Sequence, residues 1–204
     1  MDTLSAVLKQ AAGSPSAFAG AYLQYVAALL GKLDVAEVSG LIERLEDARR
    51  TGRTVFVIGN GGSAATASHM GNDLGLCGNE SNGGVLRVLP LTDGIPFMTA
   101  VANDFGYERI FVRQLEVHYR EGDLLIAISA SGNSPNLLAA AEWVKARGGE
   151  VIGLLGFDGG RIKPMCDSVV LVRTATGEYG PVEDVHMVLD HLLTTWFARE
   201  RFMA

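Results

Sequence analysis

Two strand-like apolar runs, Thr54–Ile58 and Leu124 to Ile128, each end in a short loop of glycine and serine that leads into a helix-like segment. The first loop reads Gly59-Asn60-Gly61-Gly62-Ser63 and the second Ser129-Ala130-Ser131-Gly132-Asn133-Ser134. Glycine has no Cβ, so it turns the backbone sharply and lets a ligand come close. Successive backbone N–H groups, serine hydroxyls and a helix N-terminus suit a phosphate group without any arginine. One such loop equally describes an ordinary strand-to-helix turn. Two of the same chemistry make a small phosphorylated ligand the leading expectation. Neither loop carries the Gly-Lys-Ser of a nucleoside triphosphate site. Ala64 stands where the third glycine of a dinucleotide fingerprint would fall, which leaves only a degenerate form of that reading.

The rest of the chain alternates in the same way. Further strand candidates are Val85 to Pro90, Val151 to Leu155 and Ser168–Val172, and helical stretches lie between them at Ala64 to Leu74, Pro96 to Ala102, Arg109 to His118 and Pro135 to Ala146. Such alternation predicts a parallel sheet with helices on both faces. The near-continuous apolar strands agree, because both faces of such a sheet are buried. Ahead of it, Ala17 to Leu30 and Val35 to Ala48 carry apolar residues at helical spacing, with Asp34 placed to cap the second and Thr51-Gly52 to end it. A last helix runs from Val182 to about Phe202. The fold class is therefore α/β: a three-layer, doubly wound, five-stranded parallel sheet with an N-terminal helical extension. Residues 1–204 read as one domain, with a helical arm over 1–52 and the α/β core and C-terminal helix over 53–204. The amphipathic arm, added to a sheet already covered on both faces, predicts self-association.

Composition narrows the class. Of 204 residues 48% are hydrophobic and 20% charged, and the net charge is −6. That balance argues against a nucleic-acid surface, which needs a basic patch. Apolar stretches are broken well short of a membrane span, and the start of the chain, Met1-Asp2-Thr3-Leu4-Ser5, lacks the pattern of a signal peptide. Cys77 and Cys166 form no disulfide framework or Cys-x-x-Cys pair and read as buried or half-buried thiols, so a reduced, cytoplasmic setting is expected.

A second constellation offers metal ligands. His69 and Asp73 stand four apart in the helix after the first loop and share a face. Glu183 and His191 stand eight apart in the last helix, a little over two turns, while His186 points elsewhere. Two imidazoles and two carboxylates suit zinc or a similar divalent ion. The same spacing also describes a surface His–Asp pair and a solvated first-turn glutamate favoured by the helix dipole. His118, among charges, reads as a surface residue.

Gly-Asn-Gly-Gly-Ser with a histidine six residues on, Ala102-Asn103-Asp104-Phe105-Gly106-Tyr107-Glu108-Arg109, and Ile128-Ser-Ala-Ser-Gly-Asn-Ser-Pro-Asn136 together resemble the sugar isomerase (SIS) domain, most closely its phosphoheptose isomerase subfamily. The resemblance covers nearly the whole chain. It implies that Ser129, Ser131 and Ser134, with the backbone of Ala130, grip a sugar phosphate, and that Asn60, Gly61, Gly62 and Ser63 line the sugar site. Asn103 and Asp104 are implied to contribute from another loop of a homotetramer. His69 and His191 match the family's metal-binding histidines, which with Asp73 and Glu183 makes a four-ligand divalent site, zinc being the expected ion. Asp73 and Glu183 also count as substrate contacts.

Three positions depart from the family pattern. Asp73 replaces a glutamate, Glu183 a glutamine, and Ala130 the middle threonine of a Ser-Thr-Ser triplet. The reaction implied is aldose–ketose isomerisation of a phosphorylated sugar, sedoheptulose 7-phosphate to a heptose 7-phosphate, through an enediol. Asp73 takes the part of base and His191 that of acid or relay. A metal-bound Asp73 is a poor base, and sequence leaves that tension open. The alternative class is a non-catalytic phosphosugar-binding or replication-initiator-binding protein of the same fold, with which the changes at Asp73 and Ala130 are compatible.

Overall fold

The computed structural model describes residues 3–11, 13–77 and 84–200. Its strands are β1 (Thr54–Ile58), β2 (Arg87–Pro90), β3 (Leu124–Ser129), β4 (Glu150–Gly156) and β5 (Ser168–Val172). Its α-helices are α1 (Leu4–Ala11), α2 (Pro15–Leu30), α3 (Val35–Thr51), α4 (Gly62–Cys77), α5 (Ile95–Phe105), α6 (Val112–His118), α7 (Pro135–Lys145) and α8 (Tyr179–Phe197). All strand pairs are parallel, in the order β2-β1-β3-β4-β5. The expected three-layer α/β architecture is present.

Strand side chains alternate between the two faces, so each strand feeds two cores. Val55 and Val57 of β1, Ile126 of β3 and Leu154 of β4 pack on one side with α2, α3, α4 and α8. Phe56 and Ile58, Leu125, and Val151 and Leu155 pack on the other with α5, α6 and α7. Truncating a fully buried ring such as Phe56 to alanine costs about 3–5 kcal/mol, the lost burial plus the residual cavity. Leu41, Leu45 and Ala48 of α3 are fully buried in the first core. Of the expected arm, α3 is therefore part of the layer that covers the sheet.

The capping chemistry read from sequence holds. Asp34 accepts the Ala36 N–H at 2.8 Å, and α3 stops at Gly52, whose φ of 70° is open to glycine at little cost. Several boundaries differ from expectation. The stretch from Arg109 to His118 is split into a 3-10 turn, Tyr107–Arg109, and α6. The β2 strand begins at Arg87, and its one partner, β1, makes it an edge strand that tolerates Pro90. The last helix begins at Tyr179, ahead of Pro181, since a helix's first turn needs no N–H partner and accommodates proline; α8 ends at Phe197, and residues 201 and 202 of the expected helix lie outside the described residues. No helix among the described residues is long and apolar enough to cross a membrane.

Candidate functional site

Strand order reverses between β1 and β3: from β1 the chain passes to β2 on one side and then to β3 on the other. In an open parallel sheet the crevice beyond the carboxyl ends of such strands is where ligands bind. Both glycine–serine loops open there. The first runs straight into α4, with Gly61 at a φ of 55°; a Cβ on Gly59 would lie 2.5 Å from the Ser63 carbonyl oxygen, so the turn closes on itself. In the second, Gly132 has a φ of 62° and packs against the Gly159 carbonyl.

The loops are held by their own hydrogen bonds. Asn60 and Asn136, the latter buried in the first turn of α7, form a reciprocal amide pair (Asn60 Nδ2 to Asn136 Oδ1 2.9 Å, Asn136 Nδ2 to Asn60 Oδ1 2.8 Å). The Tyr107 hydroxyl adds a third bond, donating to Asn60 Oδ1 at 3.0 Å. The Ser129 hydroxyl accepts the Gly132 N–H at 2.9 Å, and the Asn133 side chain accepts the Arg161 N–H at 3.1 Å. Ser134 occupies the N-cap position of α7 but makes no capping hydrogen bond with its side chain, and Ser131 is half-buried beside it. Ala130 is buried. Ser63 is buried in the first turn of α4. Asn103 and Asp104 sit exposed at the end of α5, hydrogen-bonded to each other at 2.8 Å.

Two helices that start near this crevice, α4 and α8, bring together a cluster of possible metal ligands. His69 Nε2 lies 3.2 Å from Asp73 Oδ2, 3.2 Å from His191 Nε2 and 3.8 Å from Asp190 Oδ2. One ligand atom from each of His69, Asp73, Asp190 and His191 falls within 4.8 Å of the others. Of the four ligands expected from sequence, three are in this group. Asp190 is the fourth member, and Glu183 is not in the group: seven residues, about 10 Å of helix rise, separate it from Asp190. Asp190 is fully buried, with neither carboxylate oxygen hydrogen-bonded. Burial pushes its pKa up to about 6, reinforced by Asp73 and opposed by His69 and His191. A buried carboxylate without hydrogen bonds, facing two imidazoles and a second carboxylate, is the donor set of a borderline divalent cation. Asp190 had a sequence signal, an acidic residue inside the apolar run Val188 to Leu193, that the histidine spacing overshadowed.

Glu183 lies nearer the crevice. A Cβ on Gly156 would meet Val182 and the backbone of Ala130, and one on Gly62 would meet the Glu183 carboxylate, so the first turns of α8 lie beside the first loop. A side chain at position 62 would displace that carboxylate. Burial raises the Glu183 pKa, helped by the charge of Asp184. One turn on, His186 is fully buried and does point away from the cluster; burial lowers its pKa to about 4, partly offset by the Leu155 carbonyl. Cys77 is buried and Cys166 half-buried, and burial pushes the Cys166 thiol up to about 12. His118 is exposed.

Fold and site define a phosphosugar-handling α/β domain, and the chain belongs to the SIS domain family, whose model matches residues 21–156. Its relatives include phosphoheptose isomerases. The one from a Geobacter species is 34% identical over 184 residues, covering 90% of this chain and 93% of that protein. The one from a Nitratiruptor species is 39% identical over 148 residues, 72% of this chain and 77% of that protein. The structure of phosphoheptose isomerase GmhA from Neisseria gonorrhoeae superposes with a TM-score of 0.79 at 28% identity, over 90% of this chain and 98% of that one.

Proposed function

We infer that this chain is a phosphosugar aldose–ketose isomerase of the phosphoheptose isomerase class, acting on sedoheptulose 7-phosphate. The observation that carries the reading is the pairing of two phosphate-suited loops at the switch point with a His–Asp cluster on the helices beside them. The backbone of Ala130 and the hydroxyls of Ser129, Ser131 and Ser134 hold the phosphate at the α7 N-terminus. Asn60, fixed by Asn136 and Tyr107, presents the first loop to the sugar with Gly61, Gly62 and Ser63. Asn103 and Asp104, exposed on α5, serve the site of a neighbouring subunit. Val188, Leu192 and Trp196 recur every four residues along α8 and are each 40% exposed, which supports burial between subunits of a homotetramer. Light scattering at micromolar concentration checks this, and a monomer contradicts it.

His69, Asp73, Asp190 and His191 would hold a divalent ion, zinc being the natural choice for two nitrogens and two oxygens. When bound, such an ion supplies Lewis-acid stabilisation of sugar oxygens that gain negative charge. His191, at the exposed edge of the cluster, keeps the part of proton relay. Asp73, 3.2 Å from His69, is committed to the cluster, and a carboxylate that ligates an ion is a weak base. The reading places the protein in the cytoplasm, with reduced thiols. It is tested by incubating the metal-loaded protein with sedoheptulose 7-phosphate: a new aldose phosphate supports it, and an unchanged ketose overturns it.

A further inference from the structure

We propose that Asn136 is a positioning residue that couples the bound phosphate to the sugar end of the site, so that filling the phosphate loop aligns Asn60 for the reaction. The proposal rests on the isomerase reading above. Asn136 is the second residue of α7, and the helix begins at Pro135, which has no N–H. The N-cap side chain, Ser134, makes no capping bond, and the Asn136 N–H has no acceptor among the described residues. That N–H is one of the orphan donors of a helix N-terminus, at the end of α7 that receives the phosphate. The side chain of the same residue runs the other way, to the first loop.

The first loop has few other ties. Among the described residues, the reciprocal bonds between Asn60 and Asn136 are the only side-chain hydrogen bonds that join the first loop to the second loop or to α7. Both lone pairs of Asn60 Oδ1 are used, one by Asn136 Nδ2 at 2.8 Å and one by the Tyr107 hydroxyl at 3.0 Å. One hydrogen of Asn60 Nδ2 goes to Asn136 Oδ1 at 2.9 Å. The other hydrogen is unmatched among the described residues, and it is the donor that Asn60 has left for a sugar oxygen. Its direction is set by Asn136, because a planar amide with three bonds made is held against rotation. Asn136 is 1% exposed, so water does not take its place as the partner.

This arrangement lets phosphate binding assist the chemistry. A phosphate at the α7 N-terminus engages the Asn136 N–H and steadies the first turn of α7, and with it the amide that holds Asn60. Binding energy from a part of the substrate that does not react is thereby used at the part that does. No bond forms or breaks at Asn136. Its effect is on the geometry of the reacting end, where a displacement of about 1 Å costs on the order of 100-fold in rate.

The test separates the phosphate from the sugar. Full-length, metal-loaded protein is given unphosphorylated sedoheptulose, with inorganic phosphite as the detached anion. In wild type, saturating phosphite is expected to speed conversion of the free sugar by about tenfold or more. In Asn136→Ala, which keeps the backbone N–H, calorimetry is expected to show phosphite binding within about threefold of wild type, yet phosphite raises the rate less than about twofold. With sedoheptulose 7-phosphate the same variant is expected to lose about 10–100-fold in kcat, with KM within about threefold. A residue that merely shapes the phosphate loop would instead lose affinity for phosphite and sugar phosphate together. Asn136→Ala leaves the Asn60 amide short of a partner, so Asn60→Ala is compared with the double variant Asn60→Ala/Asn136→Ala, which removes both sides of the pair. Equal, near-absent phosphite responses are expected there, because Asn136 acts through Asn60. Full activation by phosphite in Asn136→Ala or in Asn60→Ala overturns the assignment, as does a loss confined to phosphite affinity. A wild type that converts sedoheptulose 7-phosphate but ignores phosphite also overturns it. A wild type that leaves sedoheptulose 7-phosphate unchanged removes the isomerase reading itself, an outcome distinct from an active enzyme without the coupling.

Discussion

The crevice loops and the His–Asp cluster are neighbours built on opposite principles. In the loops the asparagines and Ser129 are matched within the protein: Asn60 with Asn136 and Tyr107, Ser129 with Gly132, Asn133 with Arg161. No ionised side chain belongs to either loop, so an anion there would be met by backbone dipoles and hydroxyls. In the cluster two carboxylates and two imidazoles crowd within 4.8 Å, and one of those carboxylates is buried with no hydrogen bond. The loops cost the fold little whether or not a ligand is bound. The cluster costs stability as it stands, with a buried carboxylate unmatched. One region has the chemistry that suits an anion; the other has the donor set that suits a divalent cation.

The largest expected effect of that contrast is on stability. Metal that binds the folded chain and not the unfolded one adds about 4 kcal/mol at a thousandfold excess over Kd. Zinc should therefore raise the melting temperature strongly and a chelator reverse it, whereas inorganic phosphate at the loops should act independently of both. If zinc leaves the melting temperature unmoved, the contrast fails.

Next comes acid sensitivity. The folded pKa of His186, about 4, lies below its unfolded value of 6.5, so its neutral form contributes stability above pH 6.5 that is lost as the pH falls towards 4. The full size is about 3 kcal/mol, since each pKa unit is worth about 1.4 kcal/mol. Asp190 acts in the opposite sense in metal-free protein: with its pKa raised from 3.8 to about 6, the favourable neutral form is lost as the pH rises across that interval. Denaturant melts of metal-free protein between pH 4 and 7 should show the two nearly offsetting, and Asp190→Asn should expose the His186 slope.

At neutral pH, Asp190→Asn should stabilise metal-free protein by about 1–2 kcal/mol, by removing an unmatched buried charge. The same change should weaken zinc binding at least tenfold. A destabilised metal-free variant with unchanged zinc affinity would make Asp190 a structural residue.

The smallest effects belong to the loops. Ser131→Ala and Ser134→Ala should each weaken sugar-phosphate binding by about 1–2 kcal/mol, leaving a phosphate oxygen with one partner fewer, with no change in zinc affinity. Calorimetry with phosphate and zinc in turn checks both halves.

The loops were legible in the sequence because each is contiguous: strand, loop and helix follow one another, and the turn chemistry is local. The sheet was legible for the same reason, through apolar runs spaced by helical stretches. The cluster was legible only in part. His69 with Asp73 and the presence of His191 follow from spacing within single helices, but the fourth member depends on how α4 and α8 align along their lengths. Parallel packing sets His69 level with Asp190 and His191, and Gly62 level with Glu183, a juxtaposition that spacing within either helix does not reveal. Likewise the role of α3 depended on which helices the sheet recruits: Leu41, Leu45 and Ala48 mark a buried face without naming what buries it.

The central claim is that a neutral phosphate crevice and a metal-completed cluster act on one sugar. Its most direct measurement follows the zinc-loaded protein by NMR in deuterated water, with sedoheptulose 7-phosphate and with unphosphorylated sedoheptulose in parallel. The account predicts that the phosphorylated ketose gives an aldose phosphate with solvent deuterium beside its new carbonyl, while the free sugar is left almost untouched. Equal conversion of both sugars, or of neither, would contradict it.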